Sequence, residues 1–163
     1  MSVRSSQATF KMVEHALNSG ENQVEISGYI NESAIFTDVA QFATIRVSLG
    51  GVVGLNSPGT RNWCRWLKLI APPTQVLLEK CPAIFVKAFS QVSGSLTENS
   101  KVMSFYVPFY SEKCGERTDI LFVRDQHFGA NGITEMPKVV DSKNNLMELD
   151  VTPESYFLFL RTP

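Results

Sequence analysis

Two stretches of this 163-residue chain carry residue types whose spacing suits chemistry. The first, residues 54–70, reads GLNSPGTRNWCRWLKLI and sets a serine, a proline and a glycine ahead of a helical pattern. As an N-cap, the Ser57 hydroxyl would accept a backbone N–H, Pro58 would stand at the first helical position and Gly59 would permit close packing. As a phosphoryl acceptor, Ser57 would use the partial positive charge of a helix N-terminus. As an acyl-transfer nucleophile it lacks its setting: position 55 is leucine instead of glycine, and no histidine is near in sequence. Capping explains Ser57 and Pro58 together without any partner, and it is the expected role. The other polar candidates for catalysis (Cys64, Cys81, His15, His127, Asp125) share no spacing that demands a common site, so no catalytic residue is assigned.

The second stretch lies in the last third. Ser111 and Cys114 are three apart in YSEKCGER, and Asp141 and Asn144 repeat the spacing in VDSKNNLMELD. This resembles a zinc ribbon, in which two turns each supply a Cys-x-x-Cys pair to one ion. Only Cys114 is a thiol, whereas structural zinc takes four Cys or His ligands. His127 would add one ligand, but a lone loop histidine is ordinarily solvated or hydrogen-bonded. The expectation is a degenerate ribbon with no metal and no cofactor, in which apolar contacts replace the folding energy of the ion. Phe105, Tyr106, Phe109, Tyr110, Phe122, Phe128, Tyr156, Phe157 and Phe159 are the material, each burial contributing about 1.5–3 kcal/mol.

The elements that must position these residues follow from periodicity. Residues 23–30 alternate through Val24, Ile26 and Ile30, a half-buried strand. Asn31 offers an N-cap, and Ile35, Val39 and Phe42 then fall at helical spacing, which predicts a helix. Ile45, Val47 and Leu49 begin a second strand, and apolar residues past two glycines predict that it is longer or bulged. Trp63, Trp66, Leu67 and Ile70 make the apolar face of an amphipathic helix, with Arg61, Arg65 and Lys68 opposite and Pro72-Pro73 ending it. Residues 74–78 read as a short buried strand, Pro82 opens a helix through Phe85, Phe89 and Val92, and 93–101 is a polar loop before the strand-like VMSFYV. From Pro108 the chain turns to short apolar runs. Met147, Leu149 and Val151 alternate as a strand, and Thr152 and Pro153 provide cap and first position for a final apolar turn. Strands alternating with helices predict an α/β layer over residues 1–107, followed by a small β-rich appendage over 108–163.

Composition narrows the functional classes. A 44% hydrophobic and 19% charged chain supports a core, and a net charge of −1 gives no electrostatic reason to bind nucleic acid or an anionic membrane. No apolar run reaches the roughly 18–20 residues of a membrane span. No signal-peptide core is apparent, and the three cysteines are odd in number and far apart. A cytoplasmic location with free thiols is expected.

The order strand, ISGYINESAIF, helix, strand, then VVGLNSPGTRNWCRWLKL resembles the STAS domain of bacterial anti-sigma-factor antagonists, over about Lys11 to Val107. The resemblance implies a sheet with helices packed against it and a non-enzymatic regulatory role in signalling, docked by a protein partner that is often kinase-like. In that family the phosphorylated serine or threonine directly precedes the glycine. Here Pro58 holds that position, Asn56 replaces the usual acidic residue, and Ser57 is one place early. The partner-binding residues implied are Asn56, Ser57, Thr60, Arg61, Arg65 and Lys68, with Ser57 the candidate for phosphorylation. The alternative use of the same fold is an anion- or nucleotide-binding sensor, with the N–H groups of Gly59 and Thr60 as donors. Residue types do not fix the oligomeric state.

Overall fold

The computed structural model describes residues 8–39 and 41–161. The chain is mixed α/β and divides into two compact units, residues 1–79 with 93–101, and residues 80–92 with 102–163. Val107, the boundary suggested by composition, falls inside a strand of the second unit, and the helix of residues 83–91 belongs to that unit as well. No helix among the described residues is long and apolar enough to cross a membrane.

The first unit is built on a five-stranded mixed sheet. Its strands are β1 (Lys11–Ala16), β2 (Glu21–Ile30), β3 (Thr44–Leu55), β4 (Gln75–Glu79) and β5 (Ser100–Val102), side by side in that order. β1 runs antiparallel to β2, and β2, β3 and β4 are parallel. Alternation does what the sequence requires of it. Val24, Ile26, Ile30, Ile45, Val47 and Leu49 are buried on one face, while Gln23, Glu25, Arg46 and Ser48 lie toward the other. The register of β2 against β3 slips between Glu25 and Ser27 and again between Gly28 and Tyr29, so the long strand is bulged opposite its glycines. Arg46 ties the polar face across three strands, paired with Glu21 and with Glu79 at 2.7 Å.

The parallel step from β3 to β4 is carried by α1 (Ser57–Leu69), whose Trp63, Trp66 and Leu67 are buried and whose following residue Ile70 is buried too. Both indoles are satisfied: Trp63 Nε1 donates to Ser95 O at 2.9 Å and Trp66 Nε1 to Thr37 O at 2.8 Å. A buried indole without such an acceptor would cost most of the gain from burying its ring.

The helix expected after Asn31 does not form. Among the described residues of 31–43 there is no helix; Asn31 Oδ1 accepts from Ser33 N at 2.9 Å, closing a local turn that competes with helical bonding. Ile35 is 79% exposed, Val39 is buried, and Phe36 packs as well, with its ring 5.3 Å from Trp66 and 5.1 Å from Phe10. The Thr37 carbonyl that a helix would use internally is taken by Trp66. Tertiary partners override the apolar spacing.

The second unit holds α2 (Ala83–Gln91) and a three-stranded antiparallel sheet of β6 (Ser104–Tyr110), β7 (Arg117–Val123) and β10 (Glu148–Leu149). The chain between β7 and β10 forms a small hairpin, β8 (Phe128–Gly129) with β9 (Gly132–Ile133). The end is α3 (Pro153–Tyr156) followed by a 3-10 turn, Leu158–Arg161. Thr152 precedes α3 as expected, though its side chain makes no capping bond. The core is aromatic. Phe105 is fully buried, with ring centroids of Phe128 at 5.0 Å, Phe159 at 5.2 Å and Phe122 at 5.8 Å. Phe89 of α2 meets Phe159, and the Tyr156 hydroxyl donates to Tyr106 O at 2.6 Å, its burial pushing the phenol pKa upward. Val92 ends outside this core, 40% exposed, because α2 stops at Gln91.

Candidate functional site

The start of α1 is organised by Asn56, not by Ser57. Asn56 has extended backbone angles, and its Oδ1 accepts from Gly59 N at 2.8 Å. Its N–H donates to Ile30 O at 3.2 Å and its side-chain amide to Glu32 Oε2 at 3.2 Å. The expected cap is therefore corrected by one residue, and Pro58 stands second in the helix. Asparagine and serine cap about equally well. Asn56 prevails because one side chain serves the helix amide and Glu32 together, where a serine hydroxyl is too short. The Glu32 carboxyl, held by its own backbone amide and then by Asn56, titrates below the usual carboxylate range.

This arrangement uses the donors that the anion-binding alternative requires. Gly59 N–H is bound to Asn56 Oδ1, and Thr60 N–H donates to Asn56 O at 2.8 Å, with Thr60 Oγ1 on the same carbonyl at 2.9 Å. Gly59 is also buried: a Cβ there would lie 2.1 Å from Ile30 O. Its lack of a side chain lets α1 approach the end of β2.

Ser57, released from capping, is exposed, and its hydroxyl makes no hydrogen bond among the described residues. Ser57, Arg61, Arg65 and Lys68 follow one another at i, i+4, i+8 and i+11 on α1, and all are exposed. They form one stripe with the hydroxyl at its head. The helix contains no acidic residue, and among the described residues none of the three cations has an ion-pair partner. Arg46, by contrast, has two. Leu69, 75% exposed, lies beside the stripe. Asn56 and Thr60 flank its head and are half-buried. Cys64 is half-buried, and burial raises its thiol pKa, which keeps it protonated and a poor nucleophile. His15 lies exposed on β1, whereas Cys81 is buried in the second unit, and Asp125 and His127 occupy the tight turn after β7.

In the second unit the two ribbon-like half-sites do meet. Ser111 Oγ donates to Asp141 Oδ2 at 2.7 Å and Cys114 Sγ donates to the same oxygen at 3.0 Å. The other oxygen, Oδ1, accepts from the backbone N–H groups of Lys143 at 2.8 Å and Asn145 at 2.9 Å. Asn145, not Asn144, completes the group, its amide reaching Oδ2 at 3.0 Å. Asn144 is exposed with φ 62, the left-handed residue that shapes the turn. Gly115, with φ 72, does the same for the first turn. Glu116 accepts from Ser142 N at 2.9 Å and pairs with its hydroxyl, joining the two turns a second time.

A carboxylate surrounded by donors is the inverse of a metal site, where donors would be replaced by lone pairs. Among the described residues no group of three or more His, Cys, Asp or Glu is arranged to hold a metal ion. His127 Nδ1 is engaged by Val123 N at 3.0 Å and its ring stacks on Phe122. The bonds from Cys114 and then Ser111 hold the Asp141 carboxyl far below its ordinary range, with Asn145 adding to them.

Compared with family models, with curated proteins and with solved structures, the chain matches none.

Proposed function

We propose that the chain is a non-enzymatic, STAS-like protein-interaction module of bacterial signalling, docked through the 56–61 turn and the exposed face of α1. The observation that carries this reading is the stripe of Ser57, Arg61, Arg65 and Lys68, exposed, its cations without an ion pair among the described residues, on a helix that has no acidic residue. A rigid helix packed on a sheet by two tryptophans presents such a stripe in fixed register, and complementary charge on a partner would raise association rate and selectivity. The strand order and the helical crossover into α1 support the STAS likeness, while Ser57 stands one place before the family's serine or threonine. The second unit is read as a degenerate ribbon held by the Asp141 hydrogen bonds and its aromatic core. A cytoplasmic protein partner fits these features, and a kinase-like regulator is the first class to test. Partner capture from native lysate with the full chain, beside the R61E/R65E variant, tests the reading. Loss of the partner from the folded variant supports it, and equal recovery refutes it.

The freedom of Ser57 favours a second reading of the same turn, as a phosphoryl acceptor. A phosphate at the first helical residue would lie near the helix N-terminus, with Arg61 one turn on. Phosphopeptide mapping after incubation with lysate and ATP tests this, and an unmodified Ser57 with an unmodified Thr60 ends it.

A further inference from the structure

On the first unit, an open groove of about 650 Å³ lies along the C-terminal half of α1 and the 93–99 segment. Cys64, Ala71 and Pro72 contribute its accessible apolar lining, over the buried Leu67 and Ile70, Arg65 and Lys68 its cationic edge, and Thr97 and Glu98 the rest of the lining. The lining is mostly apolar. Resting on the docking function just proposed, we infer that this groove receives an acidic amphipathic segment of the partner protein, one large apolar side chain entering it and carboxylates meeting Arg65 and Lys68.

Three observations select that occupant. The groove is more open than enclosed, so a small molecule would leave part of its surface in water, whereas ligand sites commonly bury about 70–90% of a drug-sized ligand. A segment carried by a folded partner covers such a groove from outside, in the manner of helix-in-groove recognition. Arg65 and Lys68 have no ion-pair partner among the described residues, and no carboxylate on α1 competes for them. Glu98 on the facing side makes the charge asymmetric, so a uniformly acidic strand fits less well than one with its carboxylates on one face. Thr97 adds a polar point: its Oγ1 is buried and has no hydrogen-bond partner.

The probe is a phage-displayed library of random dodecapeptides, panned on the immobilised full chain at low ionic strength. Enriched peptides are expected to bracket a large apolar residue with Asp or Glu. The labelled winner, measured by fluorescence anisotropy, should bind R65E/K68E at least tenfold more weakly. It should also lose binding to A71W, which fills the groove from the exposed Ala71 on its lining while leaving the folded circular-dichroism spectrum unchanged. No enrichment, enrichment of peptides without acidic residues, or binding indifferent to both variants would overturn the inference. Because partner capture is tested separately at Arg61 and Arg65, a partner that still depends on those residues while peptide selection fails removes the groove and leaves the docking stripe.

Discussion

At the residue scale, the assignment of the α1 cap to Asn56 makes a discriminating pair of predictions. Asn56→Ala should cost about 1 kcal/mol, the usual loss for a removed cap, whereas Ser57→Ala should stay within about 0.5 kcal/mol. Urea denaturation of the two variants beside the parent reads this directly, and the reverse order would restore Ser57 as the cap. Gly59→Ala should be more damaging, about 3 kcal/mol, since the new methyl would meet the Ile30 carbonyl, a backbone atom that cannot step aside. Asp141 predicts a pH effect. Its folded pKa lies below the unfolded value, so its contribution is present above about pH 4 and is lost as pH falls toward the folded value. Glu116 faces it across the turns and shifts in the same direction. The parent's urea midpoint should therefore fall between pH 6 and pH 3. Asp141→Asn should have a lower midpoint at pH 6 and a shallower decline, because the remaining acid sensitivity comes from groups such as Glu116. Equal slopes in the two proteins would remove Asp141 from that role.

At the element scale, α1 both packs the first sheet and carries the proposed docking face. Trp63→Ala should cost about 3–5 kcal/mol, as expected for a fully buried aromatic, and the loss of its bond to Ser95 O should loosen the 93–99 segment. Calorimetric unfolding with amide exchange of that segment measures both effects. α1 was legible in the sequence because Trp63, Trp66, Leu67 and Ile70 share a face that no other secondary structure would group. The parallel strands were legible for the same reason, through Val24 and Ile26, then Ile45 and Val47. β1 was not, because Lys11–Ala16 is an edge strand with almost every side chain exposed and so carries no alternating signal. The 31–43 segment misleads in the opposite way. Ile35, Val39 and Phe42 have helical spacing, yet Ile35 is exposed, and Phe36, recruited by two tryptophans distant in sequence, packs as well as the buried Val39. Short polar contacts were the least legible: nothing in the spacing of Ser111, Cys114 and Asp141 distinguishes a lost metal site from a carboxylate hub.

At the scale of the whole molecule, the chain spends its ion pairs unevenly. Arg46 is paired twice, while the cations of α1 stand exposed along one helix face. A net charge of −1 means that this stripe is a local feature and not part of a generally basic surface. As the proposed docking face it would suit a specific acidic partner better than a polyanion, which would need a wide positive field. The most direct test is hydroxyl-radical footprinting of the full chain, alone and with its affinity-isolated partner. Leu69 is a sensitive reporter, being 75% exposed beside the stripe. Its modification rate should fall several-fold in the complex, while that of Ile35, exposed elsewhere on the first unit, should not change. Protection of Ile35 with Leu69 unaltered would contradict docking through α1.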